Sequence, residues 1–122
     1  MVYVDGFVVP VPKANLDAYQ EMARMAGSVW MEHGALSYVE CIGDDVPVGE
    51  VTSFPRSVQA SDEETVIFAW ITYESRARRD EICAKVMADP RLAGEEWKQV
   101  FDGRRMIYGG FQAFLTLEEK RP

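Results

Sequence analysis

Over Val2–Val9 apolar residues alternate with smaller or polar ones, and the stretch is rich in β-branched and aromatic side chains, which predicts a strand. Pro10 and Pro12 stand two residues apart and cannot continue a central ladder, so the strand is expected to give way there to an extended turn. From Leu16 the spacing changes. Tyr19, Met22, Ala23, Ala26, Val29 and Trp30 gather on one face of a helix, with Asn15 placed to cap its start, Asp17 in its first turn and Gly34 placed to end it. A second strand is expected over Leu36–Ile42, with Tyr38 and Glu40 on one parity and Val39 and Cys41 on the other.

The stretch from Asp44 to Glu63 is long for a connection inside one domain. It predicts either a short extra hairpin around Glu50–Phe54 or a functional loop. Thr65–Tyr73 is the most hydrophobic run and reads as the third strand. Ser75 caps a second helix from Arg76 to about Ala88, stopped by Asp89-Pro90, with Ile82, Cys83, Val86 and Met87 as its buried stripe and the Glu81/Lys85 pair outside. A helical turn around Gly94–Val100 and a turn at Asp102-Gly103 lead into a last strand, Arg105–Leu117. The charged tail Glu118–Pro122 is expected to fray.

The order β-α-β-β-α-β predicts a ferredoxin-like α+β domain over residues 1–117, an antiparallel sheet with both helices on one face. The opposite face of such a sheet is polar when it meets water. Here the strands are apolar on both parities: Ile67, Ala69 and Ile71 against Val66, Phe68 and Trp70, and Ile107, Phe111 and Leu115 against Met106, Tyr108 and Phe114. Something must cover the second face. The same face of another copy, related by a two-fold axis, is the expected cover, and the long loop with the C-terminal arm is the alternative.

Composition narrows the functional classes. Twenty acidic against thirteen basic residues give a net charge of −7, which argues against a nucleic-acid backbone or an anionic membrane as partner. In 122 residues no run approaches the ~18 apolar residues of a membrane span. The N-terminus is expected to read straight into a strand without a secretory leader. Cys41 and Cys83 make no disulfide framework, and the cytoplasm is the expected compartment.

Four separated segments carry a resemblance. They are Tyr3-Val4-Asp5-Gly6-Phe7-Val8-Val9-Pro10-Val11-Pro12-Lys13, Trp30-Met31-Glu32-His33-Gly34-Ala35-Leu36, Val51-Thr52-Ser53-Phe54-Pro55, and Phe101-Asp102-Gly103-Arg104-Arg105-Met106-Ile107-Tyr108-Gly109-Gly110-Phe111. Together they resemble the YbaA-like family of bacterial proteins, a domain of unknown function, over roughly residues 2 to 117. The resemblance implies a ferredoxin-like fold in the dimeric α+β barrel superfamily, whose members include cofactor-free monooxygenases, haem-degrading enzymes, chlorite-dismutase-like proteins and muconolactone isomerases. It transfers no catalytic residues, and fold alone does not fix function.

In that architecture a pocket lies between helices and sheet or between two sheets, so polar groups interrupting apolar strands are the candidates. Asp5 is a candidate general base, or a carboxylate paired with an arginine such as Arg105. Glu40, sharing a parity with Tyr38, offers a second carboxylate for the same pocket. His33, the only histidine, is a candidate base or haem or metal ligand, or else a helix C-terminal residue favoured by the dipole. Arg76 and Arg79 project with the buried stripe of the second helix and need a carboxylate or an anionic ligand; Arg79 is the expected orienting group for a substrate acid. Tyr38 and Tyr108 are candidate hydrogen-bond donors to an enolate. Tyr3, Trp70 and Phe111 add cavity-lining aromatics, and Phe54 belongs to a candidate lid. No HxxxH, CxxC, P-loop, GxGxxG or GxSxG stands in the chain, so neither a dedicated metal site nor a bound cofactor is expected. The expectation is a homodimer that does acid–base or oxygen chemistry on a small organic molecule, or binds one without turnover.

Overall fold

The computed structural model describes residues 2–119, in which β1 (Tyr3–Pro12), α1 (Leu16–Glu32), β2 (Ser37–Ile42), α2 (Phe54–Ser57), β3 (Glu64–Tyr73), α3 (Arg76–Met87) and β4 (Ile107–Gln112) follow one another. The strands form one antiparallel sheet in the order β2-β3-β1-β4, with long crossovers through α1 and α3. This is the ferredoxin-like α+β arrangement, with the short α2 turn added between β2 and β3.

The register sets Tyr3, Asp5, Phe7 and Val9 of β1 opposite Tyr73, Ile71, Ala69 and Ile67 of β3. These side chains share the face on which α1 and α3 pack, because Tyr19 and Val29 of α1 and Ile82 and Val86 of α3 close over them. Each such aliphatic side chain contributes about 1.5–3 kcal/mol by leaving water. β1 runs on through both prolines. Its pairing with β4 ends at Val8 whereas its pairing with β3 continues to Pro12, so the prolines sit where the strand has a neighbour on one side only.

The long connection contains no hairpin over Glu50–Phe54. Instead Ser53 caps α2, its Oγ accepting from the Arg56 amide at 3.1 Å, and the Arg56 guanidinium donates to the carbonyls of Val48 and Gly49. Pro55 in the first turn suits a helix and not a paired strand. This segment lays Val58, 1% exposed, against Val8 and Val66 on the second face of the sheet. The loop therefore covers one end of that face. Phe68, Ile107 and Phe111 remain exposed on the rest of it, and Phe114, Leu115 and Leu117 are exposed beyond β4.

Three further details differ from the sequence reading. β4 is shorter than Arg105–Leu117, because β1 starts at Tyr3 and the Ala113 amide, donating to the Val2 carbonyl at 3.0 Å, reaches the last partner. Arg76 and Met87 are exposed, since both lie about 100–120° around α3 from the centre of the Ile82/Val86 stripe. Asn15 stands at the start of α1 but its side chain makes no cap; it donates to the Val100 carbonyl at 2.9 Å and ties the 3-10 turn Glu96–Gln99 to the helix. Of the tail expected at 118–122, residues 120–122 lie outside the described residues.

Candidate functional site

Two carboxylates interrupt the helix-facing side of the sheet, and each is held differently. Asp5 enters from β1. Its Oδ2 accepts from the Tyr73 hydroxyl at 2.9 Å, and that hydroxyl in turn accepts from the Trp30 indole at 3.1 Å. Its Oδ1 lies 3.5 Å from Nε of Arg79, whose Nη2 donates to the Tyr3 hydroxyl at 3.1 Å while the guanidinium sits 4.9 Å from the centre of the Tyr3 ring. The side chains of Asp5 and Arg79 are 13% and 25% exposed. Arg79 thus projects with the buried stripe as expected, but toward a sheet carboxylate. Burial works against its charge, and the Tyr3 hydroxyl and Asp5 outweigh it and raise the Arg79 pKa. Burial and then the bond to Asp5 push the Tyr73 hydroxyl well above the ordinary phenol range. Burial also raises the Cys83 thiol, 3.8 Å from the Tyr73 oxygen. Gly110 of β4 lies under this group; a Cβ there would collide with both the Arg79 guanidinium and Tyr3.

Glu40 enters from β2, with Tyr38 on the same parity two residues before it. The Tyr38 hydroxyl donates to Oε2 at 2.6 Å and the Tyr19 hydroxyl of α1 donates to Oε1 at 2.5 Å. No ion pair among the described residues includes Glu40. The Tyr38 ring reaches this position by lying against Gly27 of α1, where a Cβ would come within 2.9 Å of the ring. Burial first, then the charge and hydrogen bond of Glu40, raise both phenols far above their ordinary pKa, so both stay protonated donors. The cluster forms one wall of a cavity of about 260 Å³ between α1 and the β2 edge, whose apolar lining is Ala23, Ile42 and Ile67. A carboxylate that accepts two phenol protons keeps lone pairs free for a third donor, and the phenols can turn their protons to a ligand oxygen.

The remaining sequence candidates lie elsewhere. His33 follows α1 and places Nε2 at 3.1 Å from Asp89, which also takes Arg91 at 2.7 Å; Arg91 reaches on to Glu32. Hydrogen bonds from Arg91 and then His33 hold the Asp89 carboxyl well below its usual range. Arg105 pairs with Glu64 at 2.6 Å and Asp102 at 3.1 Å, so it is not the partner of Asp5. Tyr108 stacks 6.2 Å from Phe7 but is largely exposed, on the outer strand of the sheet. Trp70 lies on the opposite face, against Phe68, with Phe54 of α2 edge-on to Phe68 at 5.6 Å. The structure thus brings together Tyr3, Asp5 and Arg79, and separately Tyr38 and Glu40.

Tyr19, Tyr73 and Gly27 complete these clusters and were not singled out by the sequence. Tyr19 reads as one more member of the apolar helix stripe and Tyr73 as a strand end, and Gly27 falls inside the helix with no role assigned to it. A glycine on the apolar side of a helix was the one available signal of a close approach. Among the described residues no group of three His, Cys, Asp or Glu side chains is placed to hold a metal ion, and no helix is long and apolar enough to cross a membrane.

Comparison with known proteins places the chain among relatives. It is 50% identical to the uncharacterised protein YbaA of Escherichia coli over 115 residues, covering 94% of this chain and 98% of that protein, and a YbaA of Shigella flexneri matches to the same extent. Among solved structures it resembles a mutant of SnoaB, a cofactor-independent oxygenase from Streptomyces nogalater, with a TM-score of 0.57 at 15% identity over 97% of this chain and 98% of that one. It also resembles a dimeric ferredoxin-like protein from an uncultured marine organism, with a TM-score of 0.56 at 10% identity over 98% of this chain and 100% of that one. At such identities these structures speak to the fold alone. The two carboxylate clusters are set on a ferredoxin-like sheet in a chain whose residues 2–103 match the model described as "Protein of unknown function (DUF1428)", and the chain belongs to that family.

Proposed function

We propose that this protein is a cytoplasmic homodimer that carries out proton transfer on a small organic substrate in the α1/β2 cavity, with chemistry supplied by its own side chains. One observation carries the reading: Glu40 meets the cavity held by two tyrosine hydroxyls at 2.5 and 2.6 Å and by no cation among the described residues. Glu40 is the base. A C–H bond beside a substrate carbonyl breaks, the proton goes to Glu40, and the electron pair moves onto the carbonyl oxygen. Neutralising Glu40 weakens its hold on the Tyr38 proton, which turns to the new enolate oxygen at the moment that oxygen needs a donor. Return of the proton to another atom gives an isomerisation. In the oxygenase form of the reading dioxygen adds to the same carbanion, which is oxidised as the O2 is reduced to a peroxide. The peroxide takes the proton back from Glu40, and loss of water from the hydroperoxide, with its O–O bond broken, leaves a new carbonyl.

The second copy is supported by the apolar sheet face that the loop leaves open, including Phe68, Ile107 and Phe111. Native mass spectrometry is expected to give twice 13.8 kDa, and Phe111→Glu to give the monomer. A wild-type monomer overturns the dimer.

The catalytic reading is tested by deuterium uptake from D2O into a panel of enolisable ketones, 2-indanone among them, followed by NMR. Protein-dependent exchange is expected to fall about 10²–10⁴-fold in Glu40→Gln, with the fold retained. Exchange unchanged in that variant, or no exchange with any member, overturns it. The engagement of Asp5, Arg79, His33 and Arg105 in internal pairs favours one other reading, a binding protein without turnover. Ligand binding without exchange would select it.

A further inference from the structure

The polar groups around the cavity constrain the charge of what enters it. Arg79, the cation expected to orient a substrate acid, is committed to Asp5 and Tyr3. Arg24 reaches the cavity rim, but its side chain is 74% exposed and faces Glu21 at 3.9 Å. The wall itself carries one carboxylate, two phenol hydroxyls, the neutral amide side chain of Gln20 and the apolar side chains of Ala23, Ile42 and Ile67. An organic anion would be brought against Glu40 with no buried cation among the described residues to compensate it, and the −7 net charge of the chain adds long-range repulsion. A ligand ammonium would pair with a free lone pair of Glu40, but by stabilising the carboxylate it would weaken the base that has to take the substrate proton. A carbonyl or enol oxygen conflicts with neither. It accepts from a tyrosine hydroxyl, and the apolar walls take the hydrocarbon.

From this, and resting on the proton-transfer reading above, we propose that the substrate class is uncharged: a ketone or enol-forming ring compound without carboxylate, phosphate or ammonium. Its size follows from the cavity, about 260 Å³, which is the space of roughly nine water molecules at ~30 Å³ each and fits a one- or two-ring molecule.

Three probes share the indane ring system and carry a neutral, an anionic and a cationic group at C2: 2-indanone, indane-2-carboxylate and 2-aminoindane. Each is titrated into the full-length protein at pH 7, with binding followed by NMR shifts of the Tyr38 and Ile67 side chains. The ketone is expected to bind at least about tenfold more tightly than either charged probe. Glu40→Gln, which removes the charge and keeps the shape, is expected to recover most of the lost carboxylate binding while changing ketone affinity less than about threefold. Carboxylate binding equal to that of the ketone, or tightest binding of the amine, overturns the uncharged class and leaves the cavity standing as a ligand site. If no probe moves Tyr38 or Ile67, the cavity is not a small-molecule site and the proton-transfer reading falls with the proposal. If the ketone binds as expected but no deuterium enters it, the class holds and the catalysis does not.

Discussion

Asp5 and Glu40 are both carboxylates on the helix-facing side of one sheet, and the difference between them is in what surrounds each. Asp5 has a guanidinium 3.5 Å away and a hydroxyl from the fully buried Tyr73. Its charge is compensated inside the protein, and the cluster ties β1 to β3 and α3. Glu40 has two hydroxyls, no cation among the described residues, and a cavity before it. Its charge is solvated by neutral donors that can be lent to something else. The same residue type serves as a staple in one place and as a reagent in the other, because a cation fixes a carboxylate where a hydroxyl only orients it.

Variants of the Asp5 cluster should show the largest loss of stability. Asp5→Asn leaves the buried Nε side of Arg79 against an uncharged partner, with only the exposed Asp80 still paired at 3.4 Å from Nη1, and an expected cost of about 2–3 kcal/mol in urea unfolding. A cost under about 0.5 kcal/mol would erase the contrast and return Asp5 to the catalytic candidates. Gly27→Ala comes next. The added methyl drives into the Tyr38 ring, and about 1–2 kcal/mol is expected to be lost together with deuterium uptake. Full uptake in that variant would mean the Tyr38 seat is unimportant.

A smaller effect distinguishes cation-paired carboxylates by pH. The Arg105 hydrogen bond, opposed by burial and helped by the Ser61 amide, lowers the Glu64 carboxyl from its ordinary 4.5 to about 2. A depressed folded-state pKa gives stability that is complete above about pH 4.5 and is lost as the pH falls toward 2. Allowing for solvent screening, on the order of 1–2 kcal/mol should disappear across that window. Arg105→Met should flatten this part of the stability–pH curve. The smallest stability effect belongs to Glu40→Gln, whose amide can still accept from one tyrosine and donate to the other; less than about 1 kcal/mol is expected by the same unfolding assay. A loss as large as that of Asp5→Asn would make Glu40 a second staple.

Much of this was legible along the chain. The alternation of β1, the helical stripe from Leu16 and the cap at Ser75 gave the elements, and the apolar second parity of β3 showed that more than one face needs cover. The shared parity of Tyr38 and Glu40 placed them together. What stayed hidden depended on register and on crossing positions. Nothing local says that Tyr73 lies opposite Tyr3 and so beside Asp5, or that Tyr19 arrives over Glu40 and not over Cys41. Arg105 looked as good a partner for Asp5 as Arg79, because charge is visible in a sequence and distance is not.

The sequence by itself determined the element order, the two parity sets within each strand and the excess of apolar surface, since periodicity and backbone sterics act within a few residues. Only the tertiary structure decided which carboxylate received a cation and which received hydroxyls. That choice rests on contacts between residues such as Tyr19 and Glu40, or Asp5 and Arg79, that are far apart in the chain. It is made when α1 and α3 settle on the sheet, at positions fixed by close packing around Gly27 and Gly110.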